Sequence, residues 1–112
     1  MLIPLLALAM LAQPSDKGAT LYADCKSFVA VLDDTANQSH ANALGAGRCA
    51  GYIEGMLDGA NGLRGFCVGS ATTGTIARVY IAYMDKNPKM LDEREGAGFI
   101  SALQETYPCP AK

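Results

Sequence analysis

The sequence predicts an all-α protein, a small four-helix bundle with scope for one extra short helix, stapled by disulfides. Three observations predict it. Apolar residues recur at steps of three and four in four successive segments, strand-like alternation is missing throughout, and four cysteines are spread over only 112 residues. A chain of this length holds a single hydrophobic core. Half of its residues are apolar and 18% are charged, which suits a globular domain and excludes a disordered one.

The first helix is expected from about Gly18 to Asp34, where Leu21, Cys25, Phe28, Val29 and Leu32 share one stripe. The polar break Asp33 to Asn42 ends it. The second is expected from about Ala43 to Ala60, with Cys49, Ile53, Met56 and Ala60 on its stripe. That segment also carries Gly47, Gly51, Gly55 and Gly59, a regular four-residue step. Each glycine costs a helix interior about 1 kcal/mol relative to alanine, so the step predicts a ridge on which a neighbouring helix packs closely.

Asn61 to Thr73 is rich in turn residues, and Thr72 or Thr73 is placed to cap a third helix carrying Ile76, Val79, Tyr80 and Tyr83. Pro88 excludes helical geometry at Asn87, which marks the end of that helix. Asn87 is then the expected N-cap of the fourth helix, with Pro88 at its first position. Asp92, Glu93 and Glu95 suit the positive end of that helix dipole, and Leu91, Phe99, Ile100, Leu103 and Tyr107 supply its apolar side. Tyr22, Phe28, Tyr52, Tyr80, Tyr83, Phe99 and Tyr107 fall at helical spacing and are expected in the core and helix seams.

The first twelve residues are wholly apolar, too few to span a bilayer as a helix. With Ala7, Ala9 and Ala12 near their end they read as a secretory signal segment, leaving residues 13–112 as one helical domain. Cys25, Cys49, Cys67 and Cys109 all follow that leader, without any CxxC or zinc-finger spacing, so they are expected to form two disulfides in an oxidising compartment. Helices three and four, joined by almost no loop, place Cys67 and Cys109 at one end of a hairpin. Cys25 and Cys49 stand at similar heights above the first interhelical loop. The expected pairing is therefore Cys25–Cys49 and Cys67–Cys109; its rival joins Cys49 to Cys67 by folding the glycine-containing connection back.

No catalytic, metal or cofactor site is expected. The one histidine, His40, lies in the polar break without a neighbouring nucleophile, and Glu54 and Asp58 read as a solvated face. The formal net charge is −2 with signs interspersed, and no basic run or aromatic platform points to nucleic acid.

Arg48-Cys49-Ala50-Gly51-Tyr52-Ile53-Glu54-Gly55-Met56-Leu57-Asp58, followed by Phe66-Cys67-Val68, Val79-Tyr80, Asn87-Pro88, Ala102-Leu103 and Tyr107-Pro108-Cys109, resembles the Rap/Tai family of immunity proteins. The resemblance runs from Cys25 to Cys109. It departs after Cys67, where the family often has a proline within two residues and this chain reads Val68-Gly69-Ser70. It implies a periplasmic helical protein that neutralises a peptidoglycan amidase effector of type VI secretion, as a dimer that plugs the enzyme's cleft with a loop. The loops available for such contact are Gln38, Ser39 and His40 in the polar break and the tight Asp85-Lys86-Asn87 corner. The alternative expectation is a small periplasmic stress chaperone or helical binding protein.

Overall fold

Among the described residues the fold consists of four α-helices and one short 3-10 helix: α1 (Gly18–Leu32), α2 (His40–Ala60), α3 (Thr73–Lys86), the 3-10 turn Pro88–Asp92, and α4 (Glu95–Thr106). The computed structural model describes residues 17–34 and 39–111. The expected leader and Gln38 lie outside the described residues. The all-α expectation holds, and among the described residues there are only two isolated β-bridges, Lys17 with Arg94 and Phe66 with Pro108.

The core is where the apolar stripes meet. Leu21 and Cys25 of α1, Cys49 and Ile53 of α2, Ile76, Ala77, Tyr80 and Met84 of α3, and Phe99, Ala102 and Leu103 of α4 form one buried cluster. Tyr80 and Phe99 pack as tilted rings with centroids 5.9 Å apart, and Tyr52 meets the other side of Phe99 edge-on at 5.3 Å. Such aromatic pairs add about 1 kcal/mol to the area they bury. Phe66, in the connection that sequence periodicity leaves unassigned, is fully buried beside them. Leu32 departs from its expected stripe: it is half exposed, and its Cδ1 lies against the backbone at Gly74 where α3 begins.

Both disulfides form as expected. Cys25–Cys49 crosses between α1 and α2 with Cα atoms 5.0 Å apart, and Cys67–Cys109 joins the α2–α3 connection to the C-terminal tail at 4.9 Å. The tail is further fixed by Cys67 N–H donating to the Tyr107 carbonyl at 2.8 Å and by Gln104 Nε2 donating to the Arg64 carbonyl at 2.6 Å.

Two boundaries differ from expectation. The second helix begins earlier, at His40, because the Ser39 hydroxyl accepts from the Asn42 amide at 3.1 Å and caps it. The fourth begins later, at Glu95. Asn87 does not cap it; its side-chain amide donates to the Tyr83 carbonyl at 2.8 Å and finishes α3. Pro88 starts the 3-10 turn instead, and the carbonyls that follow are taken by α1: Glu93 accepts from the Gly18 amide at 2.8 Å and Asp92 from Lys17 Nζ at 3.1 Å. Asp92 and Glu93 therefore lie outside α4, and Glu95 alone provides the acid in its first turn. The cap expected at Thr72 is present, accepting from the Thr75 amide at 3.2 Å.

The glycine step of α2 overturns its expected role. Cys49 and Ile53 turn inward, which sends Gly47, Gly51, Gly55 and Gly59 to the opposite side of the helix, where all four are exposed. A Cβ built on any of them meets nothing within 4 Å, so among the described residues no helix packs there. The close approach of α1 to α2 is made instead at Gly45, where a Cβ would stand 3.2 Å from Asp24 Oδ1 and 3.3 Å from the Ser27 side chain.

Candidate functional site

Beside Gly45, the Asp24 side chain of α1 is buried and carries a charge that has to be matched. Arg48, one turn along α2 from Gly45, matches it through two parallel bonds: Nε to Oδ2 at 3.0 Å and Nη2 to Oδ1 at 2.9 Å. The carboxylate is 11% exposed and the guanidinium side chain 60%, so the pair has an inner, fixed partner and an outer, open one. The bonds to Asp24 hold the Arg48 pKa above its ordinary value.

This pair forms one wall of a groove of about 390 Å3 between α1, α2 and α4. Thr20, Leu21 and Asp24 line it from α1, Gly47, Arg48, Gly51 and Tyr52 from α2, and Glu95 from the first turn of α4. The missing side chains of Gly47 and Gly51 leave its α2 edge low. Tyr52 is half-buried, and burial together with the negative charge of Glu95 pushes its phenol up to about 12. Burial raises the Tyr80 phenol as well.

The Asp85-Lys86-Asn87 corner lies on the other side of α1. Tyr22 donates to Asp85 Oδ1 at 2.5 Å, and this bond raises the Tyr22 pKa. Lys86 is exposed at the end of α3, beside a shallow depression of about 160 Å3 lined by Val79, Ala82, Tyr83, Glu105 and Thr106. The corner is stiff, since Asn87 is bonded through both its side chain and its backbone to the last turn of α3.

Ser39 and His40 are exposed at the N-terminus of α2. They sit at the opposite end of the bundle from the corner. Tyr22, near the start of α1, reaches Asp85, whereas Asp33 and Leu32 at its finish meet Arg78 and Gly74 near the start of α3. Tyr22 and Leu32 are ten residues apart, so about 15 Å of helix separates the two loops. The sequence-predicted contact residues thus do not form one patch within a chain. The groove was missed by sequence reading because it draws on three helices. The Arg48-to-Asp24 spacing gave no local signal, and only the unexplained glycines pointed to that face.

No curated protein and no solved structure matches the chain. Residues 17–109 match the family model of Rap1a immunity proteins. That span contains all four helices and both disulfides. The chain belongs to the Rap1a immunity protein family, and as such is an immunity protein directed against a secreted effector.

Proposed function

We propose that this protein is a periplasmic immunity protein that binds and inhibits a peptidoglycan amidase effector delivered by type VI secretion. The observation that carries the reading is the family match over residues 17–109, a span that includes the cysteine, glycine and Tyr-Pro-Cys motifs. Two disulfides support an oxidising compartment, since such bonds persist outside the cytosol. The apolar leader at residues 1–12 supports export across the inner membrane. Among the described residues no helix is long and apolar enough to cross a membrane.

Inhibition here is binding without chemistry. A stiff, disulfide-held bundle loses little conformational freedom when it docks, so more of the contact energy appears as affinity. The Asp85-Lys86-Asn87 corner is a rigid projection that enters an enzyme cleft, and Ser39 and His40 of a second copy extend the contact in a dimer. The test is rescue. An amidase encoded beside this protein is exported to the periplasm of a susceptible host with and without it. Restored growth is expected; continued lysis with both proteins present in the periplasm contradicts the reading.

A further inference from the structure

The turn that follows α2 is held from both sides, yet its tip carries an apolar side chain. Gly62 and Gly65 take left-handed backbone, with φ of +83° and +84°, and bracket Leu63 and Arg64. The Leu63 and Arg64 amides both donate to the Ala60 carbonyl, at 2.9 and 3.2 Å, and the Gly62 amide donates to the Phe66 carbonyl at 2.8 Å. On the other side the Arg64 carbonyl accepts from Gln104 Nε2 at 2.6 Å, and the Gly65 carbonyl from the Cys109 amide at 3.4 Å. Phe66, fully buried, and the Cys67–Cys109 bridge tie the base of the turn to the core and the tail.

The Leu63 side chain takes no part in that anchoring. It is 80% exposed, against 50% and 51% for Leu32 and Leu44, the other exposed large apolar residues among those described. A lone exposed leucine on a loose turn would mean little. Here the bonds on both sides fix the backbone, so docking costs the tip little conformational freedom. Arg64 beside it is exposed, and its guanidinium forms no ion pair among the described residues. The tip is thus a pre-set apolar knob with one unpaired cation next to it. Its complement is an apolar recess with a carboxylate at the rim. One leucine and one cation are too little to hold a lipid surface, which takes a whole apolar helix face or two anchoring signals. A formal net charge of −2 further opposes an anionic surface. A folded protein is the partner that fits.

We propose that the Leu63-Arg64 tip is a docking projection for the effector: Leu63 enters an apolar recess of that protein, and Arg64 pairs with a carboxylate at its rim. The inference rests on the immunity reading for the partner's identity; the residues and the chemistry they seek come from the geometry of the turn. The tip lies on a different connection from Ser39, His40 and the Asp85-Lys86-Asn87 corner, and it adds an apolar anchor to contacts that are otherwise polar.

Leu63→Ser and Arg64→Glu each change an exposed side chain, and circular dichroism and melting temperature verify that both variants fold as wild type does. The full chains are titrated by calorimetry against a catalytically dead form of the amidase encoded beside this protein. Leu63→Ser is expected to weaken binding about 30-fold, as loss of a central anchor does. Arg64→Glu is expected to weaken it about tenfold and to slow association, with Arg64→Lys close to wild type, because the role is that of a charge at a rim. Wild-type affinity in both Leu63→Ser and Arg64→Glu overturns the tip and leaves the immunity reading intact. An effect of one variant alone overturns the half of the proposal that the other carries. A wild-type chain that does not bind the amidase overturns the immunity reading, and this inference with it. Sedimentation of the wild type with phosphatidylglycerol vesicles, lost in both variants, overturns the protein partner in favour of a lipid surface.

Discussion

The two hairpins of this molecule are stapled in different ways. In α1–α2 the bridge Cys25–Cys49 runs through the core, with both cysteines fully buried, and the outer face of α2 is bare glycine. In α3–α4 the bridge Cys67–Cys109 sits at one end, half-buried, and the helices are held by Ile76, Tyr80, Met84, Phe99 and Leu103. The second hairpin owes its packing to large side chains. The first buries fewer of them completely, Leu21 and Ile53, with Tyr22, Phe28, Tyr52 and Met56 only partly covered. A covalent bond and one ion pair therefore carry a greater share of its integrity. The difference teaches that α2 is held from the inside, while the described residues leave its outside uncovered.

The largest effect that tests this contrast is removal of each disulfide. Loop-closure entropy for separations of 24 and 42 residues gives about 3.5 and about 4 kcal/mol, too close to rank the two bridges. Burial decides. Cys25→Ala/Cys49→Ala also empties core volume and is expected to destabilise by about 5 kcal/mol in all, against about 4 for Cys67→Ala/Cys109→Ala. Urea unfolding under non-reducing conditions measures both, and the reverse order breaks the comparison. The same burial predicts that a mild thiol reduces Cys67–Cys109 first, which timed alkylation and peptide mapping would record.

Next in size is the ion pair. Arg48→Met leaves the Asp24 carboxylate buried without its partner and is expected to cost about 2 kcal/mol. Asp24→Asn/Arg48→Met should recover part of that loss, because the stranded charge is gone. If the single variant is as stable as wild type, the pair does not hold the α1–α2 hairpin.

The smallest expected effect concerns alkaline pH. Tyr52 has its phenol raised from the ordinary 10.0 to about 12, and Tyr80 is raised as well. A raised acid binds its proton more tightly when folded, so the folded chain holds more protons than the unfolded one above pH 10. The contribution is full below that pH and is lost as pH rises through about 12. Unfolding free energy should fall over this window, and Tyr52→Phe should flatten the fall. An unchanged slope in that variant means Tyr52 does not carry the effect.

Much of the fold is legible in the sequence because local physics specifies it. The stripe Leu21–Cys25, the Thr72 cap and the break at Asn87 each follow from a few adjacent residues. Cysteine pairing is legible as well, because helix lengths set the heights of the four sulfurs. Asn87 and Pro88 mislead since the same pair that opens a helix also opens a 3-10 turn; the deciding partner, Gly18, lies some 70 residues away. The glycine step misleads in a similar way: periodicity finds the ridge but not which side of α2 faces the core. The groove is illegible for the strongest version of that reason, since Asp24, Arg48 and Glu95 meet only after three helices have packed.

Among the described residues, nothing in the fold requires the bare outer face of α2. The most direct test is the unfolding free energy of Gly47→Ala/Gly51→Ala/Gly55→Ala/Gly59→Ala, compared with wild type by urea denaturation. With open space at all four positions, helix propensity acts alone, and the account predicts a gain of about 3 to 4 kcal/mol. A loss of stability would show that the glycines serve contacts within the chain, and would contradict the account.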